Sequence, residues 1–213
     1  MRFEKKYAIT HLTKRQIEQI IKGHPAGFSL LFPDRQVNNI YFDTPDYQTL
    51  VHNMDGINQR KKYRLRWYGK NLNAISNPHL EIKIKHNELG RKEITALPSA
   101  SLAELAAISE KVNQQPILGI ARQALIPTLL NSYHRSYYGS ADKEFRITID
   151  WNLQFYAPLT AYTFNENPIT LNGIIVELKY EAAADTRANA IFKYLPFRQT
   201  KSSKYVKGVT LVS

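Results

Sequence analysis

Within residues 61–69, KKYRLRWYG, basic and apolar side chains alternate without interruption over residues 62–67, and this pattern constrains the fold more than any other feature of the sequence. Lys62, Arg64 and Arg66 fall on every second position, with aromatic and aliphatic residues between them. A period of two predicts a β-strand with two chemically different faces. No acidic residue occurs within residues 56–80. The cations of this strand therefore need partners from elsewhere in the fold or from a ligand.

The same alternation recurs in segments that lie far apart in the sequence. These segments are RFEKKY (residues 2–7), HLEIKIK (79–85), EFRITID (144–150) and IVELKY (175–180), and YHRSY (133–137) adds Arg135. An alternating strand is normally buried on one face only, so each apolar side should pack on other hydrophobic structure. Solvated charged faces are one interpretation. If the strands instead close into an antiparallel barrel, their charged faces line a basic tunnel that a polyanion would fill.

The length and apolar content of the chain suit one domain or two small lobes, and we favour one domain spanning residues 1–213. Composition also favours an anionic partner. The chain has 29 Lys and Arg residues against 18 Asp and Glu residues, a formal net charge of +11, which favours nucleic acid, phosphorylated metabolites or acidic lipid. It contains no Cys, which excludes disulfides and thiolate chemistry. No apolar run reaches the roughly 18 residues of a membrane span, so we expect a soluble, cytoplasmic protein. No glycine-rich P-loop is present, which excludes an ordinary P-loop kinase.

Three segments carry helix signals. Thr13 and Gln16 form a capping-box pattern for a helix that ends at Gly23. A second such pattern begins at Ser101, and Asp185 is expected to cap a third helix. The remaining long segments are predicted to be strands, so the fold class is α+β.

Other candidate sites are weaker. The six His residues show no metal-binding spacing such as HxH or HExxH, which disfavours a His-ligated metal. Asp43 and Asp46, in YFDTPD, could be an acid–base pair, but Asp before Thr-Pro is more typical of a turn. Aromatic residues among basic ones also suit single-stranded nucleic acid. In the strand interpretation, however, Tyr63 and Trp67 face the core.

Taken together, these motifs resemble the VTC-type polyphosphate polymerase domain, a branch of the CYTH or triphosphate tunnel superfamily. The resemblance covers nearly the whole chain and rests on RFEKKY, YFDTPDYQTL, KYRLRWY, LEIKIK, RITID, VELKY and SSKY in that order. It implies an antiparallel eight-stranded tunnel, a closed barrel with a basic lumen flanked by a few helices. Such tunnels bind ATP, triphosphate or polyphosphate with Mn²⁺ or Mg²⁺, and no nucleic acid is expected.

The resemblance also implies roles for individual residues. It implies catalytic roles for Arg64, Arg66, Lys83, Arg135, Arg146 and Glu177. The implied phosphate-binding residues are Lys6, Arg64, Arg66, Lys83, Lys85, Arg135, Arg146, Lys179, Lys201 and Lys204. Glu177 is the implied metal ligand, with Glu4 and Glu81 as secondary candidates. These residue types suit phosphoryl transfer, which depends on positioning and charge neutralisation.

One departure from the superfamily pattern bears on the reaction. Hydrolytic members typically begin with two alternating glutamates and a lysine, whereas this chain has Arg2 before Glu4 and Lys6. With Arg2 at this position, the chain is more similar to the polymerase branch, whose members transfer the γ-phosphate of ATP to a growing polyphosphate chain. A triphosphate or polyphosphate hydrolase and a non-catalytic sensor remain alternatives. Eukaryotic polymerases of this type also carry phosphate-sensing and transmembrane domains that this sequence does not show, so translocation would need a membrane partner.

Overall fold

The computed structural model describes residues 2–86, 89–118 and 123–213, in which five α-helices and 13 strands are present. The helices are α1 (Lys14–Lys22), α2 (Gln48–Met54), α3 (Leu105–Asn113), α4 (Asp185–Phe192) and α5 (Lys204–Val212). The long strands are β1 (Arg2–Ile9), β2 (Ser29–Asp43), β3 (Gln59–Tyr68), β5 (His79–His86), β6 (Leu89–Ala96), β8 (Ile126–Gly139), β9 (Phe145–Tyr156) and β13 (Ile174–Glu181). The short strands are β4 (Ala74–Ile75), β7 (Ala100–Ser101), β10 (Pro158–Thr160), β11 (Thr163–Phe164) and β12 (Ile169–Leu171).

The main sheet has nine strands and an open order, so the predicted closed barrel of eight strands is wrong on both counts. The order is β1-β13-β9-β8-β2-β3-β5-β6, and β12 pairs with β9. Within the described ranges, no pairing joins β1 to β6. The ninth strand, β12, has only three residues, which is too short for a period of two to be recognised. The predicted α+β class and the antiparallel pairing of the charged strands are correct.

The chain divides into two compact units. Unit 1 comprises Met1–Arg35, Tyr133–Leu153 and Leu171–Ser202, and unit 2 comprises Gln36–Ser132, Gln154–Thr170 and Ser203–Ser213. The single domain of residues 1–213 stays a prediction.

The core of unit 1 lies between α1, α4 and the apolar side of β13 and β9. Ile17 and Ile21 of α1 are fully buried, one helical turn apart on the same side. They belong to one cluster with Ile147, Ile149 and Leu178. The charged residues of β9 and β13 alternate with these apolar ones, so they lie on the opposite face of the sheet.

The core of unit 2 is built in the same way on β2, β3 and β5. Leu65, Trp67 and Ile82 are buried with Leu105 and Ile108 of α3. The apolar side of each alternating strand is therefore the packed side, as predicted for Leu65 and Ile82.

The three predicted helices are present, with one error in capping. Thr13 and Gln16 form both bonds of the capping box at α1, and Gly23 is its C-cap. Ser101 and Glu104 form a second box, but its first turn is a 3-10 turn that leads into α3. The predicted N-cap role of Asp185 is wrong, because a 3-10 turn precedes α4 and makes Asp185 the first residue of the helix.

Two helices carry no signal that we recognised. The Asp43 carboxylate is buried and accepts bonds from the amides of Thr49 and Leu50 at 2.8 and 2.9 Å, so it stabilises the start of α2. At the start of α5, the Tyr205 ring stacks on Tyr41 with centroids 5.1 Å apart. The Tyr205 hydroxyl donates to Asp43 Oδ2 at 2.5 Å. Asp43 is thus a structural anchor for two helices of unit 2.

Candidate functional site

In unit 1, strand register brings charged residues of β1, β13 and β9 into two rows. Lys6 lies opposite Glu177, which lies opposite Thr148 on β9. In the next row, Lys179 lies between Glu4 on β1 and Arg146 on β9. Residues directly opposite one another share a face of the sheet. Both rows therefore lie on the charged face of unit 1.

Glu177 is the most buried charged residue of these rows, with only 8% of its side chain exposed. Lys6 Nζ lies 3.8 Å from Glu177 Oε1, and Lys179 Nζ lies 3.4 Å from Glu177 Oε2. Lys179 Nζ also lies 3.8 Å from Glu4 Oε1. We call Glu4, Lys6, Thr148, Glu177 and Lys179 the Glu177 cluster. In this cluster the Lys179 ammonium group lies between the carboxylates of Glu4 and Glu177, where a positive charge is favoured.

Arg135 on β8 forms a buried ion pair. Its Nε and Nη2 donate to Asp150 Oδ1 and Oδ2 at 2.5 and 2.6 Å. Burial alone would lower the pKa of the guanidinium, but the Asp150 carboxylate outweighs burial and raises the pKa above its usual value. The carboxylate of Glu177 contributes in the same direction. Arg135 therefore remains charged, and two of its three nitrogens are engaged within the protein.

Two further predicted positions in unit 1 are less enclosed. Arg146 and Lys201 are exposed to solvent. The backbone of Arg2 lies opposite Glu181, but the Arg2 side chain lies outside those that the structure describes. Thus unit 1 brings together Lys6, Glu4, Glu177 and Lys179, whereas Arg146 and Lys201 remain in solvent.

In unit 2, the buried carboxylate of Glu81 on β5 organises a second set of cations. Arg64 Nε and Nη2 both lie 2.5 Å from Glu81 Oε2, and Lys92 Nζ lies 2.8 Å from Oε1. Arg66 Nη1 is more distant, at 3.8 Å from Oε2, and Arg66 Nε donates to Asn39 Oδ1 at 2.8 Å. We call Arg64, Arg66, Glu81 and Lys92 the Glu81 cluster.

The electrostatics of Glu81 follow from these distances. Burial would raise the pKa of its carboxyl, but Arg64, Arg66 and Lys92 more than offset burial and hold the pKa well below the usual value. Glu81 is therefore ionised at any ordinary pH. Both of its oxygens are within hydrogen-bond distance of cations.

The other predicted residues of unit 2 lie on the same strands or on α5. Lys83 lies opposite Lys62 on β3, and Lys85 lies opposite Arg60. Lys204 is the first residue of α5 and is half-buried. Unit 2 thus brings together Arg64, Arg66 and Glu81, with Lys83 and Lys85 along the same face. That the charged faces of both units meet in one lumen stays a prediction, as do the assigned roles of their residues.

Sequence reasoning assigned no site role to three polar residues of these faces, Lys62, Lys92 and Thr148. Lys92 lies within RKE, where three consecutive charges hide any period, although the β5–β6 register, which sets it opposite Lys83, could have identified it. Lys62 Nζ donates to Ser203 Oγ at 2.8 Å, just before α5. Thr148 alternates with charged residues in RITID, but a single Thr carries little signal.

Two searches of the structure gave negative results. Across residues 2–86, 89–118 and 123–213, no group of three or more His, Asp or Glu side chains is arranged to hold a metal ion. The helices of the described part of the chain are all too short or too polar to cross a bilayer.

Comparison with solved structures shows the fold. A proposed adenylate cyclase from Vibrio parahaemolyticus matches with a TM-score of 0.55 and 15% identity, covering 96% of this chain and 97% of that one. A proposed adenylyl cyclase from Hippeastrum, described as having a dominant triphosphatase activity, matches with a TM-score of 0.53 and 13% identity, covering 99% and 96%. The PH1819 protein of Pyrococcus horikoshii matches with a TM-score of 0.52 and 10% identity, covering 98% and 95%.

Comparison of the sequence shows the family. No curated protein matches the chain. The VTC domain family matches it over residues 1–213. The chain therefore belongs to the VTC domain family.

Proposed function

We propose that this chain is a metal-dependent phosphotransferase that moves the γ-phosphate of ATP onto a polyphosphate chain. The observation that carries the proposal is the Glu177 cluster, in which Lys6 and Lys179 surround a nearly buried carboxylate on a charged sheet face. Family membership over residues 1–213 supports the same class of function.

The cations suit a ligand that carries many phosphates. Arg64 and Arg66 offer planar forks that fit phosphate oxygens, whereas Lys6 and Lys83 offer mobile point charges. Phosphoryl transfer requires little covalent chemistry from the protein, so positioning and charge neutralisation supply most of the catalysis. In this proposal the net charge of +11 is the electrostatic complement of a polyanionic substrate.

The donor set around Glu177 fits a hard divalent cation. Mg²⁺ and Mn²⁺ prefer oxygen ligands and usually combine one or two carboxylates with substrate phosphates. Glu177 and Glu4 supply two such carboxylates, and both lie within 4 Å of Lys179 Nζ, at 3.4 and 3.8 Å, which supports a shared cation site between them. When bound, the metal would neutralise charge on the phosphates. Lys6 and Lys179 would hold the phosphate oxygens beside it.

Glu81 is less suited to bind a metal than Glu177. Arg64 and Lys92 contact both of its oxygens at 2.5 and 2.8 Å, so a metal would have to displace close ion pairs. We therefore assign Glu81 the role of fixing Arg64 and Arg66 for phosphate binding.

A triphosphate hydrolase is the second candidate, favoured by the Hippeastrum protein of the same fold with its described triphosphatase activity. Arg2 favours the polymerase, because it places a cation at a position of β1 where hydrolytic members typically have a glutamate. That position would then offer no carboxylate to a second metal. A cytoplasmic location stays a prediction. The proposed use of ATP as the phosphate donor favours it.

The test is incubation of the purified protein with ATP and Mn²⁺, followed by electrophoretic separation of the products. Long polyphosphate chains together with ADP are the expected result. ADP with free phosphate and no chains would favour the hydrolase. Unchanged ATP, together with tight binding of tripolyphosphate, would contradict both enzymes and favour a sensor.

A further inference from the structure

Thr148 on β9 carries a buried hydroxyl group for which the described residues provide no hydrogen-bond partner. The residue is only 2% exposed. Burying a hydroxyl group without a partner is unfavourable, and such groups are uncommon in folded proteins. A Val side chain would have the same shape without this penalty, and Val is favoured in strands. The hydroxyl group therefore requires an explanation outside the apolar packing of the strand.

Its position identifies what the hydroxyl group faces. Thr148 lies directly opposite Glu177, which in turn lies opposite Lys6. The neighbours of Thr148 along β9, Ile147 and Ile149, are fully buried in the core of unit 1. Because side chains alternate along a strand, Thr148 points to the opposite side, toward the charged face.

We propose that Thr148 Oγ1 forms a hydrogen bond with an oxygen of the ligand held beside Glu177, either a phosphoryl oxygen or a water bound to the metal. This inference rests on the proposed function and adds to it a binding residue that carries no charge. A hydroxyl group can donate to phosphate and accept from water. The row Lys6–Glu177–Thr148 would then bind the ligand through a cation, an anion and a neutral group.

The test measures tripolyphosphate affinity by calorimetry, in Mn²⁺ and separately in EDTA, and the melting temperature of the ligand-free protein. Thr148→Val removes the hydroxyl group and keeps the shape, whereas Thr148→Ser keeps the hydroxyl group. Ser109→Ala is the matched control, since Ser109 is buried in α3 and its hydroxyl donates to Leu105 O at 2.7 Å.

We expect Thr148→Val to weaken tripolyphosphate binding by about tenfold, which is the lower end of the losses seen when a group that supports a metal site is removed. Thr148→Ser should retain most of the wild-type affinity. If Thr148→Val loses tripolyphosphate affinity in both buffers, the partner of Thr148 is a phosphoryl oxygen. If it loses affinity only in Mn²⁺, the partner is a metal-bound water. The ligand-free Thr148→Val protein should melt no lower than the wild type, because no protein hydrogen bond is lost. Ser109→Ala should instead lower the melting temperature and leave affinity unchanged.

Two results would overturn the inference. One is unchanged affinity of Thr148→Val in both buffers, and the other is a fall in its melting temperature as large as that of Ser109→Ala. A Glu177→Gln sample separates this failure from that of the proposed function. If Mn²⁺ strengthens binding to the wild type but not to Glu177→Gln, the metal site stands and only the role of Thr148 fails. If the wild type binds no tripolyphosphate, both proposals fail.

Discussion

Glu81 in unit 2 and Glu177 in unit 1 are equally buried, each 6% exposed over the whole residue, and each lies among cations on an alternating strand. Their distances to those cations differ. Arg64 and Lys92 approach Glu81 to 2.5 and 2.8 Å, whereas Lys6 and Lys179 lie 3.8 and 3.4 Å from Glu177. At 2.5–2.8 Å the partners form charge-assisted hydrogen bonds, which are about twice as strong as neutral ones.

The difference separates two uses of a buried carboxylate. Glu81 acts as an internal counterion that fixes two arginines, so its removal should mainly affect stability. Lys6 and Lys179 lie farther from Glu177, at 3.8 and 3.4 Å, so removal of this carboxylate should mainly affect the chemistry that we propose. The two residues can therefore be tested with the same Glu→Gln substitution.

The largest effect should come from Glu81→Gln. This variant removes the charge that pairs with Arg64, Arg66 and Lys92, and breaking a buried ion pair typically costs about 3–5 kcal/mol. We expect a loss of unfolding free energy of this size in urea denaturation at pH 7. Glu110→Gln, on the exposed side of α3, is the matched control and should stay within about 0.5 kcal/mol of the wild type.

The pH dependence of this loss checks its electrostatic cause. The pKa of Glu81 in the folded protein lies below its ordinary value of 4.5. The ionised form therefore stabilises the fold above that value, and the stabilisation is lost as pH falls toward the folded pKa. The difference between the wild type and Glu81→Gln should be complete at pH 7 and shrink below pH 4.5. A constant difference down to acidic pH would assign the loss to packing.

Glu177→Gln should have the next largest effect, and on turnover. Metal-dependent consumption of ATP should fall by at least about two orders of magnitude, or roughly 2.7 kcal/mol in transition-state stabilisation. Polyphosphate affinity without metal should survive or rise, because a negative charge leaves a basic face. Turnover at the wild-type rate in Mn²⁺ would show that Glu177 is not the metal ligand.

Arg66→Ala should affect binding and turnover together. The cation is expected to meet phosphate in both the ground state and the transition state, so KM should rise and kcat/KM should fall by about tenfold or more. Arg187→Ala is the charge-matched control, since Arg187 is exposed and pairs with Glu144 at 3.1 Å. Equal losses in both variants would indicate diffuse attraction of the substrate by net charge.

The smallest effect should be stabilisation by the ligand itself. Tripolyphosphate at ten times its Kd should stabilise the fold by about 1.4 kcal/mol, which corresponds to a rise of about 3–6 °C in Tm for a chain of this size. Sodium chloride at matched ionic strength should raise Tm less, because it screens charge without bridging several strands. Equal shifts would argue against a specific polyanion site.

The sequence predicted those elements whose signals are local. Thr13 and Gln16 form their capping box with no help from the rest of the fold. The charged strands are recognisable because their period of two recurs in several segments and holds over six residues in KYRLRW (62–67). Helix α5 could not be predicted in this way, because KYVKGVTLV is rich in β-branched residues and contains Gly208. A Cβ atom at position 208 would lie 2.4 Å from Leu129 Cδ2, so close packing rather than propensity explains that glycine.

The candidate site was predictable in residue type but not in pairing. Alternation identified Arg64, Arg66 and Glu81 as members of one charged face. It could not indicate that Arg64 lies 2.5 Å from Glu81 while Lys6 and Lys179 lie 3.8 and 3.4 Å from Glu177, since those distances depend on side chains from several strands. Lys92 and Thr148 were missed for the same reason, because their meaning depends on what lies opposite them.

The contrast between the two carboxylates can be tested most directly by locating the metal. Crystals grown with Mn²⁺ and tripolyphosphate, measured near the manganese absorption edge, would give an anomalous peak at each bound ion. We predict a peak about 2.1 Å from a Glu177 carboxylate oxygen, with Arg64 and Lys92 still paired to Glu81. A peak at Glu81 instead, or ordered tripolyphosphate with no manganese beside Glu177, would contradict the account.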